Sequence, residues 1–196
     1  MKFIKTHIPN MLTMFRIPLA LLCAYFAFFK EDPFSLSISL GLFLLAAVTD
    51  AVDGHLARRW KIVSKFGKIW DPIADKILIL GVLVVFTYNG IVPMILTLLI
   101  VAREVLLTVI RLMLLSKKIV LAARQSGKFK TISQVAVLVS IYCLLIFNSS
   151  LQAYVSKDVI GWIIFALVIW KAGITLYSGI EFILHNRKVI GKIEWV

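Results

Sequence analysis

The chain has 196 residues, enough for one domain of ordinary size, but its composition excludes an ordinary soluble domain. Hydrophobic residues make up 61% of the sequence and the mean hydropathy is +0.96, whereas soluble domains are about 45–50% apolar. The formal net charge is +12, yet the aromatic residues lie within long apolar runs, which disfavours a nucleic-acid partner. These values predict a single integral membrane domain over residues 1–196, with its basic groups at aqueous margins or inside a polar site.

Six segments have the length and apolarity of membrane-spanning helices, since about 20 apolar residues are needed to cross a bilayer. In chain order the predicted spans are 10–29, 34–57, 67–88, 91–115, 131–147 and 159–184. Turn-forming residues separate them at 30–33, at Asn89-Gly90 and at 148–150. The sequence therefore predicts an all-α bundle of six transmembrane helices.

Basic residues are distributed unevenly between the predicted loops. With both termini on one side, that side holds 15 of the 22 basic residues, and the opposite loops hold only Lys30 and Lys157. The 15 are Lys2, Lys5, Arg58, Arg59, Lys61, Lys65, Lys68, Lys117, Lys118, Arg124, Lys128, Lys130, Arg187, Lys188 and Lys192. Cytoplasmic loops carry an excess of Lys and Arg, so both termini are predicted to be cytoplasmic and the protein to be a multi-pass protein of the inner membrane.

Acidic residues are concentrated where the second predicted span ends and the third begins. Four of the ten, Asp50, Asp53, Asp71 and Asp75, fall within 26 residues, and their spacings of three and four place each pair on one helix face. Carboxylates brought together by a short hairpin repel one another unless cations neutralise them, and oxygen ligands suit Mg²⁺ or Mn²⁺. We therefore predict a site for two divalent cations, an arrangement that serves phosphoryl transfer.

Two other interpretations of these carboxylates are open. They could form a structural salt-bridge cluster with Arg58, Arg59 and Lys76, or they could line the path of a divalent-cation transporter. A transport path would place acidic residues across the bilayer, whereas the four aspartates lie near one face. The metal site of an enzyme is the favoured interpretation.

Small residues beside the aspartates complete a longer pattern. Gly54 and Ala57 share the stripe of Asp50, and Gly67 precedes Asp71 by one turn, which leaves room for a ligand. The full pattern resembles the signature of the CDP-alcohol phosphotransferases, integral membrane enzymes of phospholipid synthesis. It runs through Asp50, Asp53, Gly54, Ala57, Arg58, Gly67, Asp71 and Asp75.

This resemblance implies a role for each residue of the signature. Asp50, Asp53 and Asp71 would hold two divalent cations that bind the diphosphate of a CDP-linked lipid. Asp75, also in the metal set, would act as the general base. The residues implied for the CDP-lipid are Gly54, Ala57, Arg58, Gly67, Asn10, Thr13 and Arg16. For the last three, capping of the first helix is the alternative.

A second basic set lies in and after the fourth predicted span. Arg103 and Arg111 are eight residues apart and so nearly on one helix face, and Lys128 and Lys130 precede the fifth span. Converging basic side chains form a pocket for a phosphate group, which predicts an acceptor alcohol that carries phosphate. The two lysines could instead be anchors at the cytoplasmic face, and Arg103 could pair with Glu104.

Further motifs resemble one branch of the family. They are Pro9-Asn10-Met11-Leu12-Thr13 followed by Arg16, Ala102-Arg103-Glu104, and Gly127-Lys128 followed by Lys130. This resemblance implies CDP-diacylglycerol as donor, sn-glycerol 3-phosphate as acceptor, CMP as the second product and a homodimeric assembly. The alternatives are sister enzymes that make cardiolipin, phosphatidylinositol phosphate or phosphatidylserine.

Four remaining residues within the predicted spans have simpler expectations. Lys76 is expected to pair with a neighbouring aspartate, and Lys171 to pair with Glu181 or to extend towards the interface. Cys23 and Cys143 are expected to be buried core residues because both lie in apolar runs.

Overall fold

The computed structural model describes residues 2–60, 65–116, 125–152 and 154–190, and every regular element within these ranges is an α-helix. The helices are α1 (Lys2–Ala27), α2 (Pro33–Trp60), α3 (Lys65–Tyr88), α4 (Met94–Ser116), α5 (Gln125–Ile146), α6 (Asn148–Leu151) and α7 (Lys157–Ile190). Each predicted span coincides with one of the long helices, which confirms the all-α prediction. Long apolar segments favour helices because a helix satisfies its backbone hydrogen bonds within the segment.

The six long helices pack in an order that differs from their order along the chain. α1 contacts α2 and α3, α2 contacts α5, α5 contacts α7, α7 contacts α4, and α4 contacts α3. These contacts trace a closed ring in which α3 also touches α2 and α5. As a result, α3, α4, α5 and α7, which are distant in sequence, surround a common interior.

The α3–α4 connection is a tight turn at one end of the bundle. Gly90 has a φ of +73°, the left-handed conformation that glycine adopts without steric cost. The amides of Gly90 and Ile91 donate to the carbonyls of Thr87 and Phe86, which caps the last turn of α3 in a Schellman motif. This end of the bundle, defined by Asn89 and the residues it contacts, is called the Asn89 end below.

The α1–α2 connection meets that turn. Asn89 donates its side-chain amide to the carbonyls of Ala27 and Phe28, at 3.2 and 3.1 Å, and its own carbonyl accepts from Lys30 Nζ at 2.8 Å. Asp32 caps α2: its carboxylate accepts from the hydroxyl and amide of Ser35, which together lower the pKa of Asp32 below its ordinary value. The two connections therefore hold each other in place.

The structure differs from the prediction at two helix boundaries. Residues 148–150, predicted as a break, begin the one-turn helix α6, because the amide of Leu151 bonds to the Phe147 carbonyl at 2.8 Å. α1 begins at Lys2 and continues through Asn10. The interpretation of Asn10 as a helix cap is therefore wrong.

The core near the Asn89 end contains a buried cluster of neutral polar groups. Ser39 donates its hydroxyl to the Cys23 carbonyl at 2.7 Å and lies 2.6 Å from the Tyr142 hydroxyl. The Cys23 thiol lies 3.6 Å from the same hydroxyl, and Cys23, Ser39 and Tyr142 are all fully buried. This hydroxyl cluster joins α1, α2 and α5. The prediction of a buried cysteine is confirmed for Cys23, whereas Cys143 is half-buried.

The outer surface of the bundle is strongly apolar. Large side chains such as Tyr25, Leu98, Trp162 and Tyr177 are more than half or about half exposed. A soluble monomer rarely exposes apolar surface on this scale, whereas a helix bundle in lipid does.

Within the described residues, one stretch, Lys157–Arg187, is long and apolar enough to cross a membrane by itself. Four further apolar stretches are shorter: Met14–Ala27, Pro33–Thr49, Lys76–Tyr88 and Lys130–Ile146. Charged residues interrupt the apolar pattern elsewhere, as Arg103 and Glu104 do in α4. The count of six spans and the cytoplasmic placing of both termini stay predictions. Of the basic residues used for that orientation, Lys61, Lys117, Lys118, Arg124 and Lys192 lie outside the described residues.

Replacing Tyr142 with Phe tests the hydroxyl cluster. Tyr142→Phe keeps the ring but removes the hydroxyl that meets Ser39 and Cys23, and we expect it to lower the free energy of unfolding by about 1 kcal/mol. Thermal unfolding of the purified protein in detergent measures the change. Tyr177→Phe is the matched control because Tyr177 is 70% exposed. Equal effects of the two substitutions would contradict the assignment.

Candidate active site

A single carboxylate, that of Glu104 on α4, lies at the centre of a buried charged cluster. Its Oε1 atom accepts from Arg103 Nη1 at 2.8 Å and from Gln134 Nε2 at 3.2 Å. Lys76 on α3 and Lys130 on α5 form ion pairs with the same carboxylate. The Glu104 cluster, meaning these five residues, thus joins three helices.

The cluster is withdrawn from the surface. The side chain of Glu104 is 2% exposed, and those of Lys130 and Arg103 are about a tenth exposed. Lys76 is the most accessible member, at 27%. Ionised groups taken out of water need partners of opposite charge, and three cations share the one carboxylate of Glu104. The cluster therefore carries two more positive charges than negative ones.

Arg103 extends the cluster to α7. Its Nη2 atom donates to the Ser178 hydroxyl at 3.1 Å. The side chain lies so close to Gly179 that a Cβ at that position would be 2.8 Å from Arg103 Nε. The glycine is needed here for close approach, because any side chain would displace the guanidinium.

The predicted phosphate-binding residues are only partly brought together. Arg103 and Lys130 meet at Glu104, as the convergence hypothesis requires, and the predicted pairing of Arg103 with Glu104 is confirmed. Arg111 is exposed, with its guanidinium carbon 6.0 Å from the ring centre of Phe182 on α7. The side chain of Lys128 lies outside the part of the structure that is described.

The four aspartates lie at matching depths of adjacent helices. Asp50 and Asp53 are seven to ten residues before the end of α2, and Asp71 and Asp75 are six to ten residues after the start of α3. At 1.5 Å per residue, both pairs lie about 9–15 Å from the α2–α3 connection. Their side chains are not among those described, and the same holds for Asn10, Thr13, Gly54, Ala57, Arg58 and Gly67. Arg16 is described and is 1% exposed.

A comparison with known proteins decides the family. The family model for CDP-alcohol phosphatidyltransferase matches residues 6–177, which is most of the chain. The chain belongs to the CDP-alcohol phosphatidyltransferase family. The expected family membership is thereby confirmed, and the transporter interpretation is not favoured because the members of this family are transferases.

Curated relatives in this family include three from different bacteria, each named CDP-diacylglycerol–glycerol-3-phosphate 3-phosphatidyltransferase. The protein from Mycoplasma genitalium is 34% identical, with 97% of this chain and 86% of the relative covered. The one from Rickettsia felis is 34% identical, with 89% and 94% covered, and the one from Bacillus subtilis is 32% identical, with 76% and 73% covered.

The donor set of this CDP-alcohol phosphatidyltransferase fits a hard divalent cation. The signature aspartates offer oxygen ligands alone, which suit Mg²⁺ or Mn²⁺ and not zinc. Their helices contact each other, and the backbone positions of both pairs lie at similar depth in the bundle. Among the side chains that are described, which exclude these four, no group of acidic, histidine or cysteine residues could hold a metal.

Sequence reasoning missed much of the Glu104 cluster. Lys76 pairs with Glu104 on another helix, a partner that the sequence did not suggest, and its expected pairing with a neighbouring aspartate stays a prediction because those side chains are not described. Gln134 was not singled out, although its position one turn after Lys130 places both on one face of α5. Lys171 is fully buried, and its Nζ atom has no hydrogen-bond partner among the described residues, Glu181 included, so neither its pairing with Glu181 nor its extension to the interface is correct.

Removal of the central charge tests the Glu104 cluster. We expect Glu104→Gln to lower the free energy of unfolding by about 3 kcal/mol, because it leaves three buried cations without their counter-ion. Thermal unfolding in detergent measures the loss. Glu31→Gln, the same change at an exposed loop residue, is expected to have almost no effect. An equally small loss for both variants would show that Glu104 does not hold the cluster together.

Proposed function

We propose that this chain transfers the phosphatidyl group of CDP-diacylglycerol to sn-glycerol 3-phosphate, giving phosphatidylglycerol phosphate and CMP. The names of the curated relatives from Mycoplasma genitalium, Rickettsia felis and Bacillus subtilis support this acceptor. The observation that carries the proposal is the position of the Glu104 cluster. Lys76 directly follows Asp75 in α3 and forms an ion pair with Glu104. Since Arg103 and Lys130 pair with the same carboxylate, they lie at about the same depth in the bundle as Asp75, the proposed general base.

The proposed reaction is an in-line displacement at phosphorus. Asp75 takes the proton of the acceptor hydroxyl while the hydroxyl oxygen attacks the β-phosphorus of the CDP-lipid. The new P–O bond forms while the bond between the β-phosphorus and the oxygen of CMP breaks, and CMP leaves. Asp50, Asp53, Asp71 and Asp75 would hold two divalent cations, Mg²⁺ or Mn²⁺, which neutralise the diphosphate when bound.

The remaining proposed residues bind and orient the two substrates. Gly54, Ala57 and Gly67 give the CDP-lipid close access to α2 and α3, and Arg58 lies beside them in the signature. The residues proposed from α1 are Asn10, Thr13 and Arg16.

The acceptor phosphate is assigned to Arg103 and Lys130, and Arg111 and Lys128 are proposed as further members of this phosphate-binding set. The formal excess of two positive charges in the Glu104 cluster supports an anionic acceptor, because a phosphate dianion would offset both.

The proposed setting is a multi-pass protein of the cytoplasmic membrane with six spans. Both termini and the active site would lie on the cytoplasmic side, where the soluble acceptor is available. The distribution of the basic residues supports this orientation, since 15 of 22 fall on the side of the termini. A homodimer is the proposed assembly, on the family resemblance alone.

Asp75→Asn tests the proposed general base. We expect it to slow CMP release by about 10²- to 10⁴-fold, because the amide cannot accept the proton of the acceptor hydroxyl. A chelator should abolish release, and added Mg²⁺ or Mn²⁺ should restore it. Asp158→Asn, at an exposed residue of α7, is the matched control and should leave the rate unchanged. Turnover undiminished by the chelator or by Asp75→Asn would overturn the mechanism.

An acceptor panel tests the substrate assignment. Purified protein in detergent, supplied with CDP-diacylglycerol and Mg²⁺, is expected to release CMP with glycerol 3-phosphate and not with myo-inositol phosphate, serine or phosphatidylglycerol. The reason is that the distance between the hydroxyl and the phosphate of the acceptor must allow the hydroxyl to reach Asp75 while the phosphate binds the Glu104 cluster. If another alcohol supports release and glycerol 3-phosphate does not, the acceptor assignment is wrong and the family assignment stands.

A further inference from the structure

Lys171 is a buried lysine that the proposed chemistry does not use. Its side chain on α7 is 0% exposed, and its Nζ atom has no hydrogen-bond partner in the part of the chain that the structure describes. Its neighbours on the helix, Val168 and Ala172, belong to the apolar core. Burial of an ammonium group without a partner is costly, so an apolar residue would be more stable at this position.

The surroundings of Lys171 connect it to the Glu104 cluster. Lys171, Thr175 and Ser178 follow one another at helical spacing along the face of α7 that packs on α4, and Ser178 bonds to Arg103. Lys171 lies within electrostatic range of Glu104, which attracts it, and of Lys76, which repels it. The shared face with Ser178, which bonds to Arg103, therefore places Lys171 on the side of α7 towards the Glu104 cluster.

Both oxygens of Glu104 are engaged in this structure. Oε1 receives Arg103, Lys130 and Gln134, and Oε2 receives Lys76. An anionic acceptor beside Arg103 and Lys130 would share these two cations with Glu104, since each has more than one N–H donor. If both turned to the acceptor, Glu104 would lose two of its three cationic partners inside a low-dielectric interior.

We propose that Lys171 is a positioning residue for the acceptor, which becomes the ion partner of Glu104 when Arg103 and Lys130 bind the acceptor phosphate. This inference rests on the proposed function, because it assumes an anionic acceptor at the Glu104 cluster. Lys171 lowers the cost of releasing the two cations and thereby favours acceptor binding without touching the acceptor. The unfavourable free energy of burying Lys171 without a partner would thus be offset when the acceptor binds and Lys171 pairs with Glu104.

Lys171→Met tests this role in the full-length protein in detergent. The KM for glycerol 3-phosphate is expected to rise about tenfold, the size of a typical coupling between two sites, while kcat and the KM for CDP-diacylglycerol stay within about twofold. The empty protein is expected to gain about 2–4 °C in unfolding temperature, because a buried unpaired charge is removed. A structural lysine would give the opposite change in stability.

Thr175→Val is the matched control. Thr175 lies one turn from Lys171, is fully buried, and its hydroxyl also has no hydrogen-bond partner among the described residues. We expect this variant to keep the acceptor KM of the wild type. A rise in KM for both variants would indicate that the acceptor itself occupies the seam between α4 and α7, which would overturn the proposal.

Calorimetry with inorganic phosphate separates this inference from the proposed function. If the wild type releases no CMP with glycerol 3-phosphate, the proposed function is wrong. The phosphate affinities of the wild type and of Lys171→Met can still be compared in that case. A roughly tenfold weaker affinity in the variant supports the role of Lys171. Unchanged phosphate affinity and unchanged acceptor KM, loss of folding in the variant, or no phosphate binding by the wild type would each overturn it.

Discussion

The arrangement of α3, α4, α5 and α7 depends on one carboxylate. Glu104 pairs with Lys76 and Lys130 from two other helices, and through Arg103 it reaches Ser178 on a third. In an apolar interior each cation needs a counter-charge, and a single carboxylate has only two oxygens to offer. The helices must therefore present their cations to one point. The glycine at 179 and the amide of Gln134 serve the same geometry, the first by leaving space and the second by orienting Oε1.

The two polar regions of the bundle differ in what they can do. Near the Asn89 end, Cys23, Ser39 and Tyr142 form a neutral network whose members satisfy one another. Such a network joins helices but has no charge with which to attract a substrate. The Glu104 cluster has an excess of positive charge and thus attracts anions. The neutral network and the charged cluster thus lie in different parts of the bundle.

Much of the fold could be predicted because its signals are local. Runs of apolar residues define the six long helices, and Gly90 ends α3 where the turn-forming residues indicate. The metal site predicted at the four aspartates also rests on local spacing, and it stays a prediction. α6 was not predicted, because Asn148 and the two serines after it are typical of turns, and the one-turn helix depends on the preceding Phe147 carbonyl.

The Glu104 cluster could be predicted only in part, because its contacts join residues far apart in sequence. The adjacent Arg103 was an evident partner for Glu104, whereas Lys76 and Gln134 lie 28 and 30 residues away. Hydropathy gives the position of a helix along the chain but not its rotation towards a neighbour. Lys171 illustrates the limit: its sequence context offered Glu181, and the rotation of α7 directs it to the interior.

The contact between Gly179 and Arg103 links two positions that are 76 residues apart. Since Arg103 Nε would lie 2.8 Å from a Cβ at 179, the identity of one residue limits the other. A related chain that carries a side chain at the position of Gly179 is expected to have a shorter residue in place of Arg103, to turn the Arg103 side chain aside, or to hold α4 farther from α7. The two positions are thus expected to change together in evolution, with a shorter residue at 103 preceding a side chain at 179.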